Sequence, residues 1–367
     1  MKSPFDKRFA NAQKMMAEKD IDILIVNNRE NLIYFTGLIQ IECLALIIPR
    51  IGTPCAITLW LDKDYVAEQT GIDTYGYLFP KGSLVEQIIE RLRKYSFKKP
   101  RIGFERYFVG FSVYDALRKV FSEENFVNAG DLFYQLRSIK DEQEIAFMRE
   151  AGKFVVAGMA AAARAVGTGV CELDVLAEAE YAMLKAGSGG SPFRPQVVSG
   201  MRSLLTHPCA SRKKIDNGEI VVIHLGATCE GYCAKICRTV AVGDVGQGRR
   251  QVYEILRNAQ DAAIATLKPG VAVNQVDAAA REIIREAGLE KYYLDVIGYG
   301  VGLRQSEFYP IIGKDRGDRI AAGMVVDLLL PTIYRPDIGG PRITDCVYVG
   351  ERKTDFITNF SRQLILK

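Results

Sequence analysis

No window of this chain approaches the ~18 consecutive apolar residues of a membrane-spanning helix, so no membrane insertion is expected. Dense Lys/Arg runs and basic residues interleaved with aromatics are also missing, and net charge is only +4, which removes the footprint of a nucleic-acid groove. The N-terminal stretch MKSPFDKRFANAQKMMAEKD has no long apolar core and no cleavage-site pattern, so it does not read as a signal peptide. There is no compact cysteine framework: eight cysteines are scattered along a large chain, which favours reduced thiols and a cytoplasmic location. Low-complexity segments are absent. Histidine is scarce as well, with His207 and His224 the only two.

What is present is material for more than one core. A chain of 367 residues with 48% hydrophobic content suits two domains. The first, over 1–136, is a small mixed α/β unit. Its amphipathic helix over 5–20 carries Phe9, Ala12, Met15 and Met16 on one face. The strand IDILIV follows, then a short helix from Asn28 ending at Gly37. CLALIIP and PCAITLW bracket a turn as a hairpin would. The second domain, over 137–367, opens with a long helix marked by the capping-box spacing of Asp141 and Glu144. A helix over 171–186 follows, closed by GSGGSP. Helices over 249–267 and 273–287 form another pair, so two helices followed by strands occur twice, an internal repeat within an α/β (α+β) chain.

The stretch EIVVIHLGATCEGYCAKICRTVAV, from Glu219 to Val242, concentrates the chemistry. Two apolar strands are separated by a turn expected from Gly226 to Gly231. With period-two alternation, Ile220, Val222 and His224 share one face, as do Cys233, Lys235 and Cys237 on the return strand. His224 and Lys235 are thereby expected to face one cavity. A soft-metal site on Cys233 and Cys237 is disfavoured: at ~3.3 Å rise per residue they stand ~13 Å apart, and they read as compact core fillers.

Together with THPCASRKKIDNGE, GYGVGL, GMVVDLLLPTIY and GPRITDCVYVG, in that order around it, this hairpin resembles the pita-bread family of creatinases, prolidases and X-prolyl aminopeptidases. The resemblance implies a pseudo-symmetric α/β domain whose pocket holds two divalent metals on two aspartates, a histidine and two glutamates. The matching positions here carry His224, Lys235, Tyr299, Leu329 or Leu330, and Thr344. The expectation is therefore the family's fold without its dinuclear site, and with no metal or other cofactor.

By the same resemblance His207 occupies the place of a proton-handling histidine, a role imidazole suits because it titrates near neutrality. Alone it would read as a hydrogen-bonded loop residue. His224, flanked by apolar residues, reads either as a buried structural histidine or as a pocket group. Lys235 has two readings: it replaces part of the lost metal charge, which is preferred, or it bridges to Glu230, Asp327 or Asp345. Arg238, Arg304 and Arg342 accompany it and are expected to leave the cavity electropositive, suited to a carboxylate. Tyr299 adds a donor and a flat wall. The glycines of GYGVG lack the strand-to-helix context of a dinucleotide fingerprint.

These features point first to a metal-independent, creatinase-like hydrolase of a C–N bond in a small carboxylate-bearing nitrogenous compound. In that reading His207, Lys235 and Tyr299 are catalytic, and His224, Arg304, Arg342 and Phe193 bind substrate. One alternative is a non-catalytic relative that binds a ligand or protein. The other is an X-Pro dipeptidase, which needs a metal-activated water. By resemblance a homodimer is expected, the segment around Tyr34 to Glu42 of one chain capping the other's pocket.

Overall fold

The computed structural model describes residues 4–42, 44–95, 99–330 and 333–367. Cys43, at the head of the expected CLALIIP strand, lies outside the described residues, as do Pro331, Thr332 and the side chains of Leu329 and Leu330. The chain divides into two compact units, 1–137 and 138–367.

The first unit runs α1 (Pro4–Glu18), β1 (Ile23–Val26), α2 (Arg29–Thr36), β2 (Ala45–Pro49), β3 (Cys55–Leu59), α3 (Lys63–Thr70), β4 (Asp73–Tyr77), α4 (Leu84–Arg93), β5 (Ile102–Phe104), α5 (Phe111–Arg118), β6 (Phe126–Asn128) and α6 (Gly130–Ser138). Its sheet has the order β4-β3-β2-β1-β5-β6. The hairpin β2–β3 is antiparallel, whereas β3–β4, β1–β5 and β5–β6 are parallel. Helix α1 buries Phe9, Ala12 and Met16 along its apolar stripe. Helix α2 stops where Gly37 adopts a left-handed backbone.

In the second unit α7 (Glu142–Ala165) begins at Asp141. The carboxylate of Asp141 accepts from the Glu144 N–H at 2.9 Å, and that of Glu144 accepts from the Asp141 N–H at 2.9 Å, so two end donors of the helix are satisfied. There follow α8 (Glu172–Ala186), β7 (Gln196–Ser199), β8 (Ile220–Cys229), β9 (Tyr232–Ala241), α9 (Gln247–Thr266), α10 (Val273–Glu286), β10 (Val296–Gly300), β11 (Glu307–Gly313), β12 (Val325–Leu330) and β13 (Ile343–Val349). Their sheet has the order β11-β10-β12-β13-β9-β8-β7, with β14 (Thr354–Phe356) beside β13 and β15 (Ile365–Leu366) beside β9, which makes nine strands. Each helix pair precedes its own group of strands, and the two groups join where Thr344 of β13 pairs with Cys237 of β9.

One expectation needs correcting here. The β8–β9 turn is not the stretch from Gly226 to Gly231; β8 continues through Gly226, and the loop is Glu230–Gly231 alone, with φ of 47° and 80°. Positive φ at both positions matches the right-handed twist of the strands, and glycine takes the second at no steric cost. The longer strands keep His224 and Lys235 inside a continuous ladder.

Candidate functional site on one face of the nine-stranded sheet

Directly paired residues in a sheet point to the same side, and so do residues two apart on one strand. The register therefore lays out two polar rows. Gln196, His224, Cys237, Thr344 and the Leu329 backbone position form one row across β7, β8, β9, β13 and β12. Two residues further along lies the second: Gly226, Lys235, Cys346, Asp327 and Tyr299. Cys346 ties it to β9, its Sγ accepting from the Lys235 backbone N–H at 3.4 Å and donating to the Lys235 carbonyl at 3.3 Å.

The opposite face belongs to the helices. Tyr232 donates to Glu144 of α7 at 2.9 Å. Asp345 accepts from Arg238 at 2.7 Å and from Gln260 of α9 at 3.1 Å. Arg238 thus points away from Lys235 and is neutralised, because an odd spacing along a strand reverses the side. The expected contribution of Arg238 to an electropositive cavity is overturned, and Asp345 cannot be the partner of Lys235.

Lys235, 2% exposed, forms an ion pair with the fully buried Asp327 and donates to Ser306 Oγ at 3.0 Å. The preferred reading of Lys235 as a replacement for metal charge is corrected: it bridges to a carboxylate. The reason is the cost of burying a lone ammonium, which Asp327 on the same face offsets. Asp327 also accepts from the Tyr299 N–H at 2.6 Å. Burial raises the Asp327 carboxyl above the usual range, while Lys235 and these hydrogen bonds pull the other way.

His224 packs under Phe193, ring centroids 4.7 Å apart, and Phe193 also lies close over Gly226, where a side chain would collide with it. Burial lowers the His224 pKa well below its ordinary value, helped by the charges of Lys235, Arg342 and His207. Its Nε2 has no hydrogen-bond partner among the described residues, and neither has the buried Thr344 Oγ1. Arg342 is almost buried and reaches Gln196 Oε1 at 3.0 Å and the carbonyls of Ser203 and Leu205 at 3.0 and 2.7 Å. Its aromatic neighbour is Tyr334, 5.6 Å from guanidinium carbon to ring centre.

His207 itself is exposed, two residues beyond Leu205. Its segment is held at both ends by Glu172, the first residue of α8, which accepts from Ser199 N at 2.7 Å, Arg202 Nε at 3.2 Å and Ser211 N at 3.0 Å. Arg304 sits in the loop between β10 and β11, its guanidinium 5.7 Å from the Phe308 ring. The structure thus gathers His224, Lys235, Tyr299, Arg342 and Phe193 around one sheet face, with His207 near enough to His224 to influence its charge. Sequence reasoning missed Ser306 and Glu172. Ser306 is separated from Lys235 by 71 residues with no spacing signal, and Glu172 looks like any acidic residue in a helix's first turn.

These residues do not fit a dinuclear metal centre. The inward positions present an ammonium, the Asp327 carboxylate already paired with it, a threonine hydroxyl and one imidazole. Burial pushes the Cys237 and Cys346 thiols up to about 12, so neither supplies a thiolate near neutrality. Among the described residues no group of three or more His, Cys, Asp or Glu is placed to hold a metal ion.

Fold and sheet order define a prolidase-type pita-bread protein with a separate N-terminal unit. The pattern of metallopeptidase family M24 matches residues 146–351, and that of the creatinase/prolidase N-terminal domain matches 8–139. The chain belongs to this family, whose chemistry is the hydrolysis of C–N bonds. Xaa-Pro dipeptidase of Pyrococcus furiosus is 30% identical over 98% of this chain and 99% of its own length. The structure of an Xaa-Pro dipeptidase from Bacillus anthracis superposes with a TM-score of 0.91 at 28% identity, covering 99% of this chain and 100% of that one. A prolidase from Pyrococcus horikoshii gives 0.88 at 27% identity, covering 98% and 100%. Creatinase-like specificity gains no support from these relatives, which favour the Xaa-Pro dipeptidase alternative. No described helix is long and apolar enough to cross a membrane.

Proposed function

We propose that this chain hydrolyses the C–N bond of a small carboxylate-bearing compound of the Xaa-Pro dipeptide type, by a route that does not use two metals. The substrate class is taken from the relatives, the route from the donor set. The observation that carries it is the pair of orphaned buried atoms on one sheet face, His224 Nε2 beneath Phe193 and Thr344 Oγ1 in the same row. Buried polar groups are nearly always hydrogen-bonded, so two unsatisfied ones on a single face are best explained as ligand contacts. Arg342 supplies charge for a carboxylate, with no acidic side chain among its hydrogen-bond acceptors. His207 carries the proton to the departing nitrogen.

The test is a panel of Xaa-Pro dipeptides, other dipeptides and small amides, assayed in EDTA and again after addition of Mn²⁺ or Co²⁺. Turnover in EDTA is expected, falling by roughly 10²–10⁴ in kcat for His207→Ala. Turnover confined to the metal-loaded protein would overturn the metal-free route and restore the ordinary dipeptidase. Binding of panel members with no turnover in either condition would instead leave a ligand-binding relative.

A further inference from the structure

The contact between Lys235 and Ser306 has no use in the scheme above. Ser306 closes the loop between β10 and β11, and the loop is pinned to β9 by the Cys233 N–H, which donates to the Gly302 carbonyl at 2.7 Å. That anchor, two residues before Lys235, brings the Ser306 hydroxyl to 3.0 Å from the lysine nitrogen. Ser306 is half-buried, so it can be reached from outside, while Lys235 is only 2% exposed and is also paired with Asp327. A hydroxyl within reach of a basic nitrogen, itself oriented by a third group, is the arrangement that activates a serine nucleophile. Serine–lysine versions of that arrangement occur on unrelated folds.

We propose that Ser306 is a nucleophile and Lys235 its general base, with Asp327 positioning the lysine, so that this chain forms an ester intermediate in place of metal-activated water. This rests on the proposed C–N hydrolysis and names its covalent step. Ser306 Oγ bonds to the substrate carbonyl carbon as its proton passes to Lys235, which in the same step gives one of its own to Asp327. The tetrahedral adduct collapses with cleavage of the C–N bond, and the leaving nitrogen takes up a proton from His207. Water then cleaves the ester, its proton passing to His207, while the proton held by Asp327 returns through Lys235 to Ser306 and the carboxylic acid leaves. Lys235 thus relays the proton between Ser306 and Asp327, its two partners. The buried Asp327 carboxyl, raised above its usual range, is suited to receive it.

The experiment uses the full chain with two probes, a fluorophosphonate and p-nitrophenyl acetate, each read by intact mass and peptide mapping. One adduct per chain is expected, on Ser306, absent from Ser306→Ala. Replacing the ion pair as a unit, Lys235→Met with Asp327→Leu, avoids a stranded buried charge and is expected to slow labelling about 10²-fold or more. Thermal melts of both variants check that they remain folded. No adduct on Ser306 with either probe, or labelling unchanged in the folded double variant, overturns the dyad. Dipeptide turnover that survives Ser306→Ala overturns the dyad and leaves the hydrolase reading standing. An adduct on Ser306 without turnover of any panel member has the opposite meaning.

Discussion

His224 sits inside a ladder of buried strands with its pKa held low, so it is neutral in the folded protein at pH 7 and gains a proton more readily when unfolded. The unfolded chain therefore binds more protons below the ordinary histidine pKa of 6.5, and stability falls as pH is lowered through that region. Urea titrations of wild type and His224→Gln between pH 7.5 and pH 5 should diverge. Wild type should lose up to about 1.4 kcal/mol per pH unit more than the variant, the limit for one proton. Parallel curves would mean the imidazole is not the group described here. Period-two counting on β8 and β9 was enough to place His224 and Lys235 on one side. The same counting on β9 would have sent Arg238 to the other side, and carried one strand further it does the same for Asp345; motif membership had grouped them wrongly with the pocket.

Helix α7 shows why a local rule can point the wrong way. Glycine inside a helix normally costs about 1 kcal/mol relative to alanine. Gly152, however, faces the chain of Ile357, and an added methyl would fall on that residue's carbonyl oxygen. Gly152→Ala is therefore expected to destabilise by about 1–3 kcal/mol, where an open helix face would gain, because the backbone cannot retreat as a flexible side chain could. Denaturant midpoints for this variant settle the sign. Helix starts, the capping box at Asp141 and the paired helices were all legible, since they depend on residues close in sequence. The extent of β8 was not: glycine at 226 looked like a turn and is instead the place where Phe193 lies against the strand.

For the protein as a whole, the consequence is that metal should matter little to stability. A ligand bound only to the folded state raises the melting temperature, and removing it lowers the melting temperature. Dialysis against EDTA, followed by Mn²⁺, Co²⁺ or Zn²⁺, is expected to leave the thermal midpoint unchanged. A rise on metal addition that His224→Gln abolishes would contradict the donor set described above. Charge within the second unit supports the same expectation, because the inward Lys235 is already matched by Asp327 and the outward Arg238 by Asp345.

By itself the sequence determined the family and the helix and strand order, because motif order and hydrophobic period are properties of the chain as written. Only the tertiary structure decided which cation is neutralised by which carboxylate, and that Ser306 stands against Lys235. Those facts depend on register between strands far apart in sequence and on the high cost of an uncompensated charge in the interior. Neither can be computed along the chain.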